Sequence, residues 1–189
     1  MIKASVATSD DQELVQLATL TLGGEEYALD IMRIKEIINP LRITPVPKAP
    51  PFIEGVIELR GAIIPVVDMR KRFDMPATPA VRATKYVVIS LEGRILGLVV
   101  DGVREVLRIT RGDLRPAPTL VTGEAAKYFS GVCHHGGRIM MILDIDHILS
   151  SQERITLTAM SSMPAPSSPA RSGGQAGQVG QVGQVGSDG

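Results

Sequence analysis

Cysteine is nearly absent. Cys133 is the single one in 189 residues, so no disulfide can form within the chain, which fits a reducing compartment. Tryptophan is missing, and three Tyr and three Phe are the only other large aromatics. A core must therefore be built from Ile, Val, Leu and Met. Neither sign of charge is in excess, since 20 Lys and Arg balance 20 Asp and Glu. That argues against the basic stripe of a nucleic-acid protein and against a polyacidic tail. The opening residues MIKASVATSDDQELVQ contain no apolar run of the signal-peptide kind. No apolar run anywhere approaches a membrane span. The expectation is a cytoplasmic protein.

Catalytic patterns are missing too. There is no Walker-type phosphate loop, no G-x-G-x-x-G after a strand and no G-x-S-x-G elbow. Cys133-His134-His135 is the strongest metal candidate, but adjacent strand residues point to opposite faces and no second ligand cluster accompanies them. A Cys–His nucleophile has no third residue to orient the base. Asp144-Ile145-Asp146 begins like a calcium loop but lacks the glycine and closing Glu at their spacing. Arg70-Lys71-Arg72 reads as a solvated basic face, and Met140-Met141 as core filler. No catalytic, cofactor or metal site is expected.

What is present falls into three zones: a polar, loose arm over residues 1–13, a dense β-branched region over 14–150, and a low-complexity flexible tail over 151–189. In the middle zone QLATLTL and EEYALDI flank Gly23-Gly24, and TKYVVISL and RILGLVV flank Glu92-Gly93, both as hairpins. RGAIIPVVD and GGRIMMILD are apolar runs entered through glycine, as buried strands are. Short helical turns are expected at IMRIKEII, MRKRF and IDHIL, with Asp68 and Asp144 at N-cap positions.

These blocks repeat. GEEYALDIMRIKEI, from Gly24, aligns without gaps on GRILGLVVDGVREV, from Gly93. GVIELRGAIIPVVDMRKRF, from Gly55, aligns on GVCHHGGRIMMILDIDHIL, from Gly131. Two matches in the same order point to a duplicated unit, with halves at roughly 14–80 and 81–150 whose terminal strands are open to sharing. Antiparallel units of this size suit small closed barrels, which remove sheet edges. The copies agree at glycines, apolar positions and the Asp, and differ at the turn: Glu58-Leu59-Arg60 against His134-His135-Gly136. The fold does not require Arg60. Either it pairs with Glu58 or caps carbonyls, or it is a recognition position at the seam of two barrels.

IELRGAIIPVVDMRKRF, VVDGVREVLRI, RPAP and LDIDHIL, together with the Pro-rich lead TPVPKAPPFIEGVIELRG, resemble the CheW family of chemotaxis coupling proteins from about Leu14 to Leu149. The resemblance implies a mainly β fold of two five-stranded SH3-like barrels packed together. It implies a non-enzymatic adaptor between the cytoplasmic tips of methyl-accepting receptors and the regulatory domain of a CheA-type histidine kinase, reaching membranes only through the receptors in their arrays. A paralogue serving pili, gliding or biofilm signalling is the alternative. Carried over residue by residue, the resemblance nominates Ile34, Gly55 and Arg60 as partner-binding positions, with Glu36, Ile37 and Val103 as neighbours. Glu58 departs from the family's usual Asn before LRG. Its expected role is to pair with Arg60 in the free protein.

Overall fold

The computed structural model describes residues 12–76, 83–117 and 124–162. Along the chain run β1 (Leu14–Leu22), β2 (Glu25–Asp30), β3 (Ile34–Ile38), β4 (Ile53–Leu59), β5 (Ala62–Asp68), α1 (Met69–Arg72), β6 (Lys85–Leu91) and β7 (Arg94–Val100). There follow β8 (Gly102–Thr110), β9 (Leu114–Arg115), β10 (Phe129–His135), β11 (Arg138–Leu143) and α2 (Ser151–Ser161). Both expected hairpins are present. Gly23 and Gly24 turn the first with φ of +59° and +89°, and Glu92 and Gly93 turn the second with +50° and +78°. Two successive positive φ values match the twist of the flanking strands.

The fold is mainly β, and its two sheets interleave the repeat units. One sheet has the order β8-β1-β2-β11-β10-β9, the other β3-β6-β7-β5-β4. The first hairpin thus lies in the sheet of the second unit's closing strands, and the second hairpin in that of the first. The exchange is symmetric to the residue. Val66 of β5 runs parallel beside Gly97 of β7, and Ile142 of β11 runs parallel beside Ala28 of β2; these four positions are two pairs of repeat mates. Each sheet then curls on itself. Beyond β3, Thr44 bridges Val56 of β4; beyond β8, β9 pairs with β10. The sixth strand of the larger sheet is this two-residue β9.

Matching details fix the closure. The ladder slips between Ile53 and Gly55 and again between Phe129 and Gly131. A Cβ at Gly55 would lie 2.2 Å from the Thr44 carbonyl oxygen, and one at Gly131 would lie 2.4 Å from that of Arg115. Glycine is present in both units because another backbone crosses there. Asp68 accepts from the backbone N–H groups of Arg70 and Lys71 at 2.8 and 3.3 Å. Asp144 accepts from Asp146 N–H at 3.0 Å. Both therefore cap turns, as the sequence indicates.

Alternation along the strands separates three apolar clusters. Ile57, Ile64, Val66, Tyr86 and Val99 fill the first barrel. Leu17, Ala28, Leu107, Ile109, Cys133, Met140 and Ile142 fill the second. The opposite faces of the same strands meet between the barrels, where Leu20, Leu22, Leu29, Val87, Ile89, Leu98 and Val100 build the largest cluster. Period-two alternation thus serves a barrel interior and a shared seam at once.

Three expectations are corrected. IMRIKEII is helical only over a 3-10 turn, Ile31–Arg33, and then becomes β3, whose branched Ile side chains suit pairing with β6. Residue 151 does not begin a flexible tail. Ser150 and Glu153 form a capping box at the start of α2, and Leu157 and Met160 are buried in the seam. An isolated helix this short is marginal in water, so its docking holds it. The remainder of the expected tail and residues 1–11 of the arm lie outside the described residues. Nor is Arg70-Lys71-Arg72 a solvated face. Arg70 is buried. The Arg72 guanidinium lies 4.3 Å from the Phe52 ring centroid and 4.9 Å from that of Tyr128, and donates to both Glu153 carboxylate oxygens at 3.0 and 3.1 Å. Phe52 and Tyr128 are repeat mates, so this arginine is clasped between equivalent residues of the two units.

Candidate protein-interaction surface

Asp30 ends β2 and accepts the N–H of Met32 at 2.9 Å, which turns the chain into β3. Ile34, the first residue of β3, is half-buried against the seam cluster and lies opposite Ile89 of β6. Lys35 sits at a ladder irregularity. Glu36 faces the β4–β5 turn, and Ile37 is 43% exposed. The turn itself is Arg60-Gly61, with φ of +53° and +81°. The left-handed conformation is costly for a residue with a side chain, about 1–2 kcal/mol. It presents the Arg60 side chain 79% exposed, with one Nη donating to the Glu36 carboxylate at 2.9 Å. Five N–H donors on a rigid fork leave the remainder directed at solvent.

Of the seven nominated residues, Glu36 and Arg60 touch. Ile34 and Val103 are repeat mates that flank the same seam cluster from the two sheets; Val103 lies opposite Leu20 of β1. Ile37 is the exposed apolar neighbour of Glu36. Gly55 is buried at the backbone crossing with Thr44. The expected Glu58–Arg60 pair is not formed. Glu58 is exposed in β4 opposite Ile63, while Arg60 is already in the left-handed turn, where the two-residue strand period that would align them no longer holds.

The second barrel carries a related but different arrangement. Glu105, the repeat mate of Glu36, accepts from Arg138 at 2.8 Å. Arg138 also reaches both oxygens of Glu26 at 3.1 Å, and Arg104 lies 3.3 Å from the same carboxylate. The hydrogen bond from Arg138 holds the Glu105 carboxyl below its ordinary value, and that same bond raises Arg138. Here the arginine is tied to two carboxylates; Arg60 is tied to one. Cys133 is buried, whereas His134 and His135 are exposed beside it on β10.

The sequence reading missed a cleft of about 410 Å3 at the end of the second barrel. Its apolar floor includes Leu17, Leu29 and Ile142, and Arg33, Arg111 and Arg115 stand on its wall. No motif marks it. The signal lies in repeat positions where one unit has a large side chain and the other a small one. Among the described residues no helix is long and apolar enough to cross a membrane.

The family model described as CheW-like domain matches residues 16–153. The chain is 38% identical over 133 residues to the chemotaxis protein CheW of Klebsiella aerogenes, across 70% of this chain and 80% of that protein. It is 34% identical over 155 residues to the chemotaxis protein CheW of Treponema pallidum, across 80% of this chain and 90% of that one. Among solved structures it is similar to the crystal structure of the scaffolding protein TtCheW from Thermoanaerobacter tengcongensis, with a TM-score of 0.70 and 29% identity over 75% of this chain and 96% of that chain.

Proposed function

The chain belongs to the CheW-like family, and from that premise we propose that it is a non-catalytic adaptor of chemosensory signalling, holding methyl-accepting receptor tips and a CheA-type histidine kinase together in the cytoplasm. The coarser part of this reading, a chemotaxis scaffold, is supported by relatives named as chemotaxis proteins and by a solved relative titled a scaffolding protein. The finer part rests on Arg60. A guanidinium held outward at a strained turn, with a single carboxylate partner and exposed Ile37 near that partner, suits the carboxylates or carbonyls of a partner chain. Ile34 and Val103 place apolar surface at the adjoining seam.

The test is kinase autophosphorylation with receptor cytoplasmic fragments, with and without this protein. The protein should raise kinase output only when receptor is present, and Ile34→Ala should weaken that effect while the variant stays folded by circular dichroism. Kinase output indifferent to the protein, in the presence of bound receptor, would overturn the coupling role.

A further inference from the structure

The cleft at the end of the second barrel shares no residue with the seven nominated positions. Its lining includes Leu17, which stands where the first barrel has Tyr86. The Tyr86 ring is buried among Ile57, Ile64 and Val66. Burial, and after it the charges of Glu54 and Asp68, push the Tyr86 hydroxyl up, so its oxygen lies in the field of those two carboxylates. Their repeat mates, Ser130 and Asp144, both line the cleft. The second barrel thus keeps polar groups at the hydroxyl end of the phenol's place and lacks the phenol. Close-packed interiors leave few spaces of that kind. The volume of about 410 Å3 falls within the range of small-molecule pockets, roughly 300–1,000 Å3.

The charges around the cleft favour a neutral guest, because each already has a counterpart. Arg33 pairs with Asp146, and Arg111 with Glu13 at 2.8 Å. Behind the hydrogen bonds from Thr110, the charge of Arg115 helps to hold the Asp113 carboxyl low. Asp30 accepts the N–H of Met32 at 2.9 Å. Asp144 accepts the N–H of Asp146 at 3.0 Å and meets His147 Nδ1 at 2.8 Å. A carboxylate has about four lone-pair sites, so Asp144 can accept a further O–H. The protein cannot supply the ring itself. Tyr27, Tyr86 and Tyr128 are all buried, so neither this chain nor a second folded copy has a phenol to offer.

We propose that the cleft binds a small neutral phenol, with its ring against Leu17 and Ile142 and its hydroxyl donating to Asp144 beside Ser130. Phenol titrated into the full chain, followed by NMR, should shift the Leu17, Leu114 and Ile142 signals along a saturating curve. The Kd should be on the order of 1 mM, and Ile57, Ile64 and Val66 of the first barrel should stay in place. Toluene has the same shape without the hydroxyl and should bind roughly ten-fold more weakly. Ser130→Ala should weaken phenol binding about three-fold. Leu17→Tyr, which supplies the ring from the chain, should abolish it; if that variant fails to fold, toluene and Ser130→Ala decide. Shifts that only grow linearly with phenol overturn the proposal, as do equal affinities for phenol and toluene or an unaltered affinity in Ser130→Ala. So does binding of N-acetyltyrosine amide without binding of phenol, which would give the place to a side chain of a partner protein.

Discussion

Tyr86 and Leu17 hold the same place in the two barrels, and Arg60 and Gly136 hold the same place in their turns. In the first barrel the interior is filled and the specialised group is outside, on the β4–β5 turn. In the second the turn is plain glycine, the arginine of the rim is bound to two carboxylates, and the unfilled space is inside. One framework, fixed by the glycine crossings and the capped Asp residues, thus tolerates different side chains at the positions it does not use for closure. Duplication followed by divergence at those positions gives one chain two non-equivalent surfaces, which suits the adaptor role proposed above.

The comparison breaks most readily at the shared glycines. Gly55→Ala meets a carbonyl at 2.2 Å and a φ of +141°, whereas Gly131→Ala meets only the crowding. Urea denaturation should show a loss of roughly 3–4 kcal/mol for the first and somewhat less for the second. Equal stability of either variant to the wild type would remove the backbone crossing as the reason for glycine. Next comes Tyr86→Leu, which gives the first barrel the residue of the second. It should cost about 2–3 kcal/mol and open a cavity that a small apolar probe such as xenon enters; an unchanged midpoint would mean that the first barrel is not sealed by this ring.

Glu153→Gln sharpens the comparison at the seam, where α2 breaks the symmetry. Burial pushes the Glu153 carboxyl up, but hydrogen bonds from Ser150 and the charge and hydrogen bonds of Arg72 outweigh it, and the net direction is below the ordinary 4.5. A carboxyl lowered in the folded state stabilises above its unfolded value and loses that contribution as pH falls through the folded one. The wild type should therefore lose stability as pH drops below about 4.5, and the variant should lose less over that range. At neutral pH the substitution should cost about 1 kcal/mol. Identical acid limbs for the two proteins would contradict the clasp around Arg72. The smallest effect is expected from truncation after Ser162, which leaves α2 whole and should leave both melting temperature and coupling unchanged; truncation after Arg154 removes Leu157 and Met160 from the core and should not.

The hairpins, the buried strands, the capping Asp residues and the duplication were legible because each has a local signature: positive-φ glycine pairs, apolar runs, an acceptor before a turn. The exchange of hairpins between sheets was not, since aligning Gly24 with Gly93 says which residues are equivalent and nothing about which strands pair. The helix behind the Ser150-to-Glu153 capping box was not read, because the Ser, Pro and Gly content that follows it suggested a tail. Arg72 read as surface because its aromatic partners and Glu153 lie far away in sequence. Arg60 was found, but its carboxylate partner was misassigned: Glu58 is near in sequence and Glu36 is near in space. The cleft is lined at positions where repeat mates differ, Leu17 against Tyr86 among them, and only the placed side chains expose it.

The central claim is that the first barrel's arginine serves recognition and the second barrel's does not. The affinity of a receptor cytoplasmic fragment for Arg60→Ala and for Arg138→Ala, measured by calorimetry on folded proteins, tests it most directly. Loss of a charge-assisted contact should weaken the Arg60→Ala complex by roughly ten-fold or more, with Arg138→Ala close to wild type. Equal affinities for the two variants, or a larger loss at Arg138, would contradict it.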